Sequence, residues 1–154
     1  MAFFKETLIG RIGMEEKEGC ITHLWFGNDI VPPNLEQAET PLIKEAFEQL
    51  ELYFIGQLKE FSLPLKPEGT PFMLSVWQKL LEVPYGQTAS YKDIAAAVGN
   101  PQAVRAVGMA NSRNPIPILI PCHRIIGSKG DLVGYSSGLD LKRKLLDLET
   151  KGNK

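Results

Sequence analysis

Several classes of protein need features that this chain lacks. Its 154 residues include only two cysteines and two histidines. That is too few for a disulfide framework or for a zinc site closed by four cysteine and histidine ligands. Cys20 and His23 have the spacing of two metal ligands, but the remaining pair, Cys122 and His123, lies at a different candidate site. The sequence therefore predicts two reduced thiols and no metal.

Targeting and cofactor signals are also missing. No apolar run approaches the roughly 18–20 residues that cross a bilayer. The first six residues have no basic segment followed by an apolar stretch, so we expect no secretion signal. No phosphate loop or dinucleotide fingerprint occurs. We therefore expect a cytoplasmic protein with no membrane partner and no nucleotide cofactor.

Charge is unevenly distributed along the chain, although its hydrophobic fraction of 44% is ordinary for a globular protein. The formal net charge is −1, but residues 1–69 contain six Lys/Arg and twelve Asp/Glu, whereas 70–154 contain eleven and six. A chance division of solvated surface charge explains this count equally well. The other interpretation is that only the basic C-terminal part meets a polyanion.

The N-terminal part has the pattern of a small lobe of strands and a helix. Short apolar runs separated by glycines over 1–30 predict a meander of strands. Thr40 can cap a helix that begins at Pro41 and that the apolar spacing extends to residue 54. Over 56–69 the periodicity fades and prolines appear, which predicts a linker.

Two predicted helices in the C-terminal part have the spacing of a helix-turn-helix. A capping box at Ser90 begins a helix that ends at Gly99. Asn100 and Pro101 then have the pattern of a cap followed by a first-turn proline, which predicts a second helix over 102–112. The tight turn between the two helices is typical of this motif.

Three further segments complete the C-terminal part. Thr70 and Pro71 begin a predicted helix over 71–82. Its apolar spacing turns four side chains inward: Leu74, Trp77, Leu80 and Leu81. The prolines in 114–121 exclude a helix and predict a buried, extended segment. A last helix is predicted over 138–149.

The sharpest local feature is Cys122 followed by His123 and Arg124. A thiol becomes a nucleophilic thiolate near neutral pH when a base or a positive charge lies beside it. On an extended chain adjacent side chains point to opposite sides, so a partnership of Cys122 with His123 needs a bend or a bridging water. The alternative is an inert buried cysteine beside a surface histidine.

The segment 114–125, with its Pro-Cys-His-Arg core, resembles the active-site segment of the O6-alkylguanine-DNA alkyltransferases. The resemblance covers 70–150 in register, and the N-terminal part matches only in general layout. Further matching positions are 83–86, 90–92, 105–108, 134–139 and Glu149. The resemblance implies an α+β chain with an N-terminal ribonuclease-H-like lobe of strands and helix over 1–65. A mostly helical, DNA-binding catalytic domain with the helix-turn-helix would follow over 70–150.

The resemblance also implies a DNA repair reaction. Cys122 would accept the alkyl group from O6 of guanine, and from O4 of thymine, in a direct displacement that uses each protein molecule once. His123 would act as the base through a water, with Glu149 orienting its imidazole. Tyr91 would donate a proton near guanine N3. Taken alone, Glu149 has the pattern of a solvated helix end, and the position of Tyr91 fits packing as well as it fits chemistry.

Contacts with the damaged base follow from the same resemblance. Ser136 would meet guanine O6, and Tyr135 would wall the pocket. Backbone groups of Ile125 and Cys122 would bind the polar edge of the base. Asn114 matches an asparagine that bridges the active-site turn, and its alternative is an ordinary turn residue before a proline.

Contacts with double-stranded DNA are implied on the second helix of the helix-turn-helix. The target base must leave the stack, and Arg105 would fill its place. Ala103, Ala106 and Gly108 are small enough to let the helix approach the minor groove, although small residues also allow close helix packing. Arg124 would contact phosphate.

Two positions on this helix depart from the resemblance. Val104 and Met109 are larger than the residues expected there, which changes the fit to the groove. The basic run 142–144 has the pattern of a solvated helix face. We expect a monomer that uses no cofactor.

Two other functions remain open at the level of sequence. A DNA-binding sensor of the alkyltransferase-like class would lack the acceptor, and the presence of Cys122 argues against that class. A cysteine hydrolase would use Cys122 and His123. The missing second catalytic histidine and the helix-turn-helix just upstream argue against a hydrolase.

Overall fold

A computed structural model describes residues 1–130 and 138–152, and the chain divides into two units, Met1–Glu68 and Gly69–Lys154. The first unit combines a sheet with a helix, and the second is mainly helical. This is the α+β class expected from the sequence. Within the described ranges, no helix is both long and apolar enough to span a bilayer.

The first unit begins with the predicted strand meander. Strands β1 (Ala2–Thr7), β2 (Gly10–Lys17) and β3 (Cys20–Phe26) form an antiparallel sheet in the order β1-β2-β3. Gly19 lies in the second turn at φ +77°, a conformation that favours glycine. The tight turns therefore place sequential strands side by side.

Helix α1 (Pro41–Phe54) has the bounds predicted from its sequence. The hydroxyl of Thr40 accepts a hydrogen bond from the backbone N–H of Ile43 at 3.1 Å, which satisfies a donor of the first turn. Phe47 lies fully buried on the inner face, where Phe3 meets its ring edge to face at a centroid distance of 6.5 Å. Each buried aromatic or aliphatic side chain of this kind stabilises the unit by about 1.5–3 kcal/mol.

The segment predicted as a linker over 56–69 is partly integrated into the sheet. Leu65 forms a parallel bridge with Ile21 of β3. The N–H of Ile21 binds the carbonyl of Pro64 at 2.8 Å, and the N–H of Lys66 binds the carbonyl of Ile21 at 2.9 Å. The linker prediction is wrong for these residues because the edge of β3 has backbone groups that need partners.

The second unit contains helices joined by short connections, together with a small parallel strand pair. Its elements are α2 (Pro71–Leu80), β4 (Ala89–Ser90), α3 (Tyr91–Ala97), α4 (Val104–Ser112), β5 (Ile125–Ile126) and α5 (Leu139–Gly152). In α2, Trp77 and Leu80 are buried as predicted, and the indole N–H of Trp77 donates to the carbonyl of Ala110 at 2.8 Å. Leu74 and Leu81 are 41% and 44% exposed, so their predicted inward position is wrong. Val76 occupies the inner face instead.

The helix-turn-helix consists of α3 and α4. The predicted capping box at Ser90 is present, and Gly99 follows α3 at φ +86°. However, α4 begins at Val104 and not at residue 102. Asn100 and Pro101 form a turn, which the N–H of Ala103 closes by binding the carbonyl of Asn100 at 3.0 Å.

Candidate active site

Cys122 lies on a tight backbone turn and not at the end of an extended segment. Cys122–Arg124 form a single 3-10 turn, in which the N–H of Arg124 binds the carbonyl of Pro121 at 3.1 Å. The predicted extended conformation of 114–121 is wrong as well. Ile118 has φ +72°, and the N–H of Ile120 binds the carbonyl of Ile116 at 2.9 Å. Prolines exclude a helix here, but they do not exclude a tight turn.

Asn114 holds this turn from within. Its Nδ2 donates to the carbonyl of Ile120 at 2.9 Å, and its Oδ1 accepts from the N–H of Ile116 at 2.9 Å. The N–H of Cys122 binds the same Ile120 carbonyl at 2.8 Å. Asn114 therefore fixes the backbone group to which the cysteine is attached.

His123 is completely buried beside a buried carboxylate. Its Nε2 lies 2.7 Å from Oε2 of Glu149 on α5, and both side chains are essentially inaccessible to solvent. Glu149 is thus no solvated helix end, and His123 is no surface histidine. An ionised Glu149 accepts a hydrogen bond from Nε2–H, so the lone pair of the neutral imidazole lies on Nδ1. Nδ1 is buried and has no hydrogen-bond partner among the described residues.

Burial lowers the pKa of His123, and the hydrogen bond to Glu149 opposes this effect. The positive charges of Arg124 and Lys142 lower the pKa further. The imidazole is therefore neutral at physiological pH and able to accept a proton.

The predicted phosphate contact of Arg124 is wrong, because its guanidinium is buried and occupied. The side chain is 8% exposed. Its Nε donates to Oε1 of Glu149 at 2.8 Å and one terminal nitrogen to Oε2 at 2.9 Å, while the other donates to the carbonyl of Val83 at 2.7 Å. A buried carboxylate is costly unless it is paired. Arg124 supplies that pair and connects Glu149 to the turn over 83–86.

Lys142 on α5 is a site residue that the sequence reasoning assigned to solvent. It is fully buried, and its Nζ donates a short hydrogen bond to the carbonyl of Ile125. Burial lowers the pKa of Lys142 to about 8, and a negative charge on Cys122 opposes the shift. Spacing could have identified it, because Lys142, Leu145 and Glu149 recur at helical intervals on the buried face.

Asn111 is a second residue that the sequence reasoning missed. It lies on the buried face of α4, and its Nδ2 donates to the carbonyl of Cys122 at 3.4 Å. Its hydrogen bond with Tyr91 opposes the effect of burial, which raises the pKa of the Tyr91 phenol. Tyr91 is half-buried at the start of α3, and its ring lies against Gly108 of α4. Asn111 lies one helical turn after Val107, and a polar residue on an otherwise apolar helix face was the pattern that could have indicated it.

The candidate DNA-contacting residues lie at the start of α4. Arg105 and Ala106 are exposed, Ala103 is the residue before the helix, and Gly108 is half-buried beside Tyr91. Ser136 and Tyr135 fall outside the described residues.

No cluster of three or more metal-binding side chains occurs in the part of the chain that the structure describes. Cys20 is partly exposed, and Nδ1 of His23 lies 2.9 Å from Oε1 of Glu15.

Comparison with known proteins identifies two domains of one family. Residues 71–151 match the family model for the 6-O-methylguanine DNA methyltransferase DNA binding domain, and residues 4–67 match the ribonuclease-like domain of the same enzymes. A methylated-DNA–protein-cysteine methyltransferase of Methanosarcina barkeri is 51% identical over 147 residues, covering 94% of this chain and 93% of the relative. A constitutive enzyme of the same name from Bacillus subtilis is 49% identical over 151 residues, covering 94% and 92%.

Solved structures agree with the sequence comparison. The crystal structure of Mycobacterium tuberculosis OGT in complex with DNA superposes with a TM-score of 0.92 at 39% identity, covering 98% of this chain and 93% of that one. The two family models together span most of the chain, and the relatives match it nearly end to end. The chain therefore belongs to the 6-O-methylguanine DNA methyltransferase family.

Proposed function

We propose that Cys122 is the acceptor in the repair reaction of this family. The chain is a DNA repair methyltransferase, which reverses O6 alkylation of guanine by direct transfer to a cysteine of its own. In the proposed step the Cys122 thiolate attacks the alkyl carbon, and a carbon–sulfur bond forms as the bond to O6 breaks. The thioether is stable, so each molecule acts once. The observation that carries this assignment is the buried pair formed by His123, on the same turn as Cys122, and Glu149 of α5.

The thiol proton has a defined route in this proposal. Glu149 holds Nε2 of His123, so Nδ1 presents its lone pair and takes the proton from Cys122 through a bridging water. The lowered pKa of His123 keeps the imidazole neutral before the reaction. The Lys142 ammonium adds positive charge near Cys122, which favours the thiolate.

The departing guanine needs a proton as its O6 loses the alkyl carbon. Tyr91 is the proposed donor near N3, and its raised pKa keeps the phenol protonated at physiological pH. The carbonyl of Cys122 accepts from the side chain of Asn111 and from the N–H of Ile125, and the carbonyl of Ile125 accepts from Lys142. We assign the polar edge of the base to the backbone of these two residues. Ser136 and Tyr135 complete the proposed pocket, and O4-alkylthymine is the proposed second substrate.

The second unit is the proposed DNA-binding catalytic domain, over about the 70–150 range suggested by the sequence. The relative from M. tuberculosis was crystallised with DNA, and α4 of this chain presents Arg105 to solvent. We assign Arg105 to the space left by the flipped nucleotide in the minor groove, with Ala103, Ala106 and Gly108 allowing close approach. The chain acts as a monomer in this proposal, in a cytoplasm that keeps Cys122 reduced.

Mass spectrometry after incubation with excess duplex containing one O6-methylguanine tests the acceptor. We expect one methyl group on the peptide that contains Cys122, in stoichiometric amount and without turnover. Cys122→Ser should bind the damaged duplex without accepting methyl, whereas Cys20→Ser, the matched control, should react fully. Demethylation by Cys122→Ser, or methyl on Cys20, would refute the assignment. Binding without any added methyl would favour a sensor.

A further inference from the structure

The exposed face of α4 carries a large apolar side chain that the packing of the protein does not use. Met109 is 54% exposed, whereas Val107 on the same helix is fully buried. A single exposed apolar residue is ordinary on a protein surface. Met109, however, lies four residues after Arg105, so the two side chains are neighbours on one helix face. Ser112 continues the same face, and it too is exposed.

This inference rests on the proposed function, in which that face enters the minor groove. Apolar side chains in a minor groove act as wedges that partly unstack a base step and bend the duplex. Methionine suits this role because its unbranched, flexible chain fills irregular gaps. The helical rise puts Met109 about 6 Å along the axis from Arg105. Base steps are about 3.4 Å apart, so a side chain at that distance reaches a step close to the one that Arg105 enters.

We propose that Met109 is a wedge that opens the duplex beside the lesion while Arg105 fills the space of the flipped base. The wedge offsets part of the free energy that unstacking consumes. Met109 should therefore raise the transfer rate on paired DNA and have no effect where the base is already unstacked. Met109 would thus determine how strongly the protein prefers duplex over single-stranded substrate.

The same helix provides a matched control. Val104 is also apolar and 37% exposed. It lies five residues before Met109, which places it about 140° away around the helix axis. Val104→Ala therefore removes apolar surface from the flank of the groove-facing side, so its loss on duplex should be clearly smaller than that of Met109→Ala. Both substitutions replace exposed side chains, so neither should lower the melting temperature appreciably.

The test compares single-turnover methyl-transfer rates on three substrates: paired duplex, single strand and free O6-methylguanine base. Met109→Ala should react about tenfold more slowly on the duplex, as expected when part of the cost of unstacking is no longer offset. It should change less than about twofold on single strand and free base. The loss should shrink when the lesion lies opposite a mismatch, and Arg105→Ala should show the same ranking of substrates.

Three results would overturn the wedge. One is an unchanged duplex rate, another is an equal loss on all three substrates, and the third is an equal effect of Val104→Ala. Failure of the proposed function looks different, because the wild-type protein itself would then transfer no methyl from duplex or free base. If the wild type reacts fully and Met109→Ala reacts at the same rate on duplex, the wedge is refuted and the proposed function is not.

Discussion

Glu149 binds His123 through Oε2 and Arg124 through both oxygens, so its charge matters to two buried neighbours. Replacing it with glutamine removes that charge and leaves Arg124 as an uncompensated buried cation. We expect Glu149→Gln to lower the single-turnover rate by about 10²- to 10⁴-fold, the usual range for losing general-base assistance. We also expect a loss of about 3–5 kcal/mol in the free energy of unfolding. Rapid quenching and denaturant titration measure the two effects.

The pH profile separates a positioning role from a merely structural one. If Glu149 orients His123 for proton transfer, raising the pH should recover part of the rate of Glu149→Gln, because the Cys122 thiol then ionises without a base. Glu48→Gln changes an exposed glutamate of α1 and should leave rate and stability unchanged. A destabilised Glu149→Gln that transfers methyl at the wild-type rate would assign the carboxylate to folding only.

At the residue scale, the sequence showed which residues form the site better than it showed which of them are buried. Cys122 and His123 were recognisable because their motif is short and contiguous. Arg124 and Lys142 were assigned to DNA and to solvent, since charged side chains are rarely buried. The burial of Arg124 depends on Glu149, which is distant in sequence and brings a charge that has to be paired. The ammonium of Lys142 donates to the carbonyl of Ile125, which is also distant in sequence.

At the scale of elements, the turn that carries the cysteine depends on Asn114. Asn114→Ala removes the donor to Ile120 and the acceptor for Ile116. The N–H of Ile116 then lacks its acceptor, which costs about 1–3 kcal/mol, while the Ile120 carbonyl keeps one of its two donors. Because the N–H of Cys122 binds the same Ile120 carbonyl, we also expect methyl transfer to slow by at least about tenfold, since small displacements of a reacting group are costly. Thermal unfolding and single-turnover kinetics test both expectations.

A second substitution at Asn114 and a control substitution at a distant residue test this prediction further. Asn114→Asp keeps the acceptor for Ile116 but sets a carboxylate against the Ile120 carbonyl, so it should not restore the rate. Asn100→Ala alters an exposed side chain of the helix-turn-helix turn and should transfer methyl normally. If folded Asn114→Ala reacts as fast as the wild type, the turn tolerates the loss, and Asn114 only stabilises the unit.

Elements with local signals were predicted well. Thr40, Thr70 and Ser90 cap helices in the structure because their hydroxyls lie three residues before the N–H groups that they bind. The signal at Asn100 was ambiguous, since asparagine before proline begins turns as readily as helices. The conformation of 114–121 was predicted wrongly because it depends on hydrogen bonds between a side chain and backbone groups up to six residues away. Such bonds produce no periodic pattern in the sequence.

At the scale of the whole molecule, two units of opposite charge match two family domains. The acidic excess lies in the residues that match the ribonuclease-like domain, and the basic excess lies in those that match the DNA binding domain. A net charge of −1 therefore does not describe either unit. The charge count agrees with a polyanion that binds the second unit. The net charge of the whole chain is uninformative because the opposite charges of the two units nearly cancel.

Lys142 links the folding of the second unit to pH. Its pKa falls to about 8 in the folded protein, against an ordinary value of 10.5. Between these two values the unfolded chain binds more protons than the folded one, so the contribution of this lysine to stability rises with pH. Lys142→Met removes the titration and leaves the Ile125 carbonyl without its donor, which is an offset that does not depend on pH. We expect the free energy of unfolding of the wild type relative to Lys142→Met to increase from pH 7 to pH 10.

The two tryptophans allow this measurement on the relevant unit, because Trp25 lies in the first and Trp77 in the second. In a Trp25→Phe background, the fluorescence of buried Trp77 reports unfolding of the second unit, and Lys142→Met is compared in the same background. Gln78→Met changes an exposed residue of α2 that has no titratable side chain, so it should show a constant difference over the same range. A constant difference for Lys142→Met as well would mean that the buried ammonium is as well stabilised as in water. Lys142 would then still place a positive charge near Cys122, but burial would not have destabilised that charge.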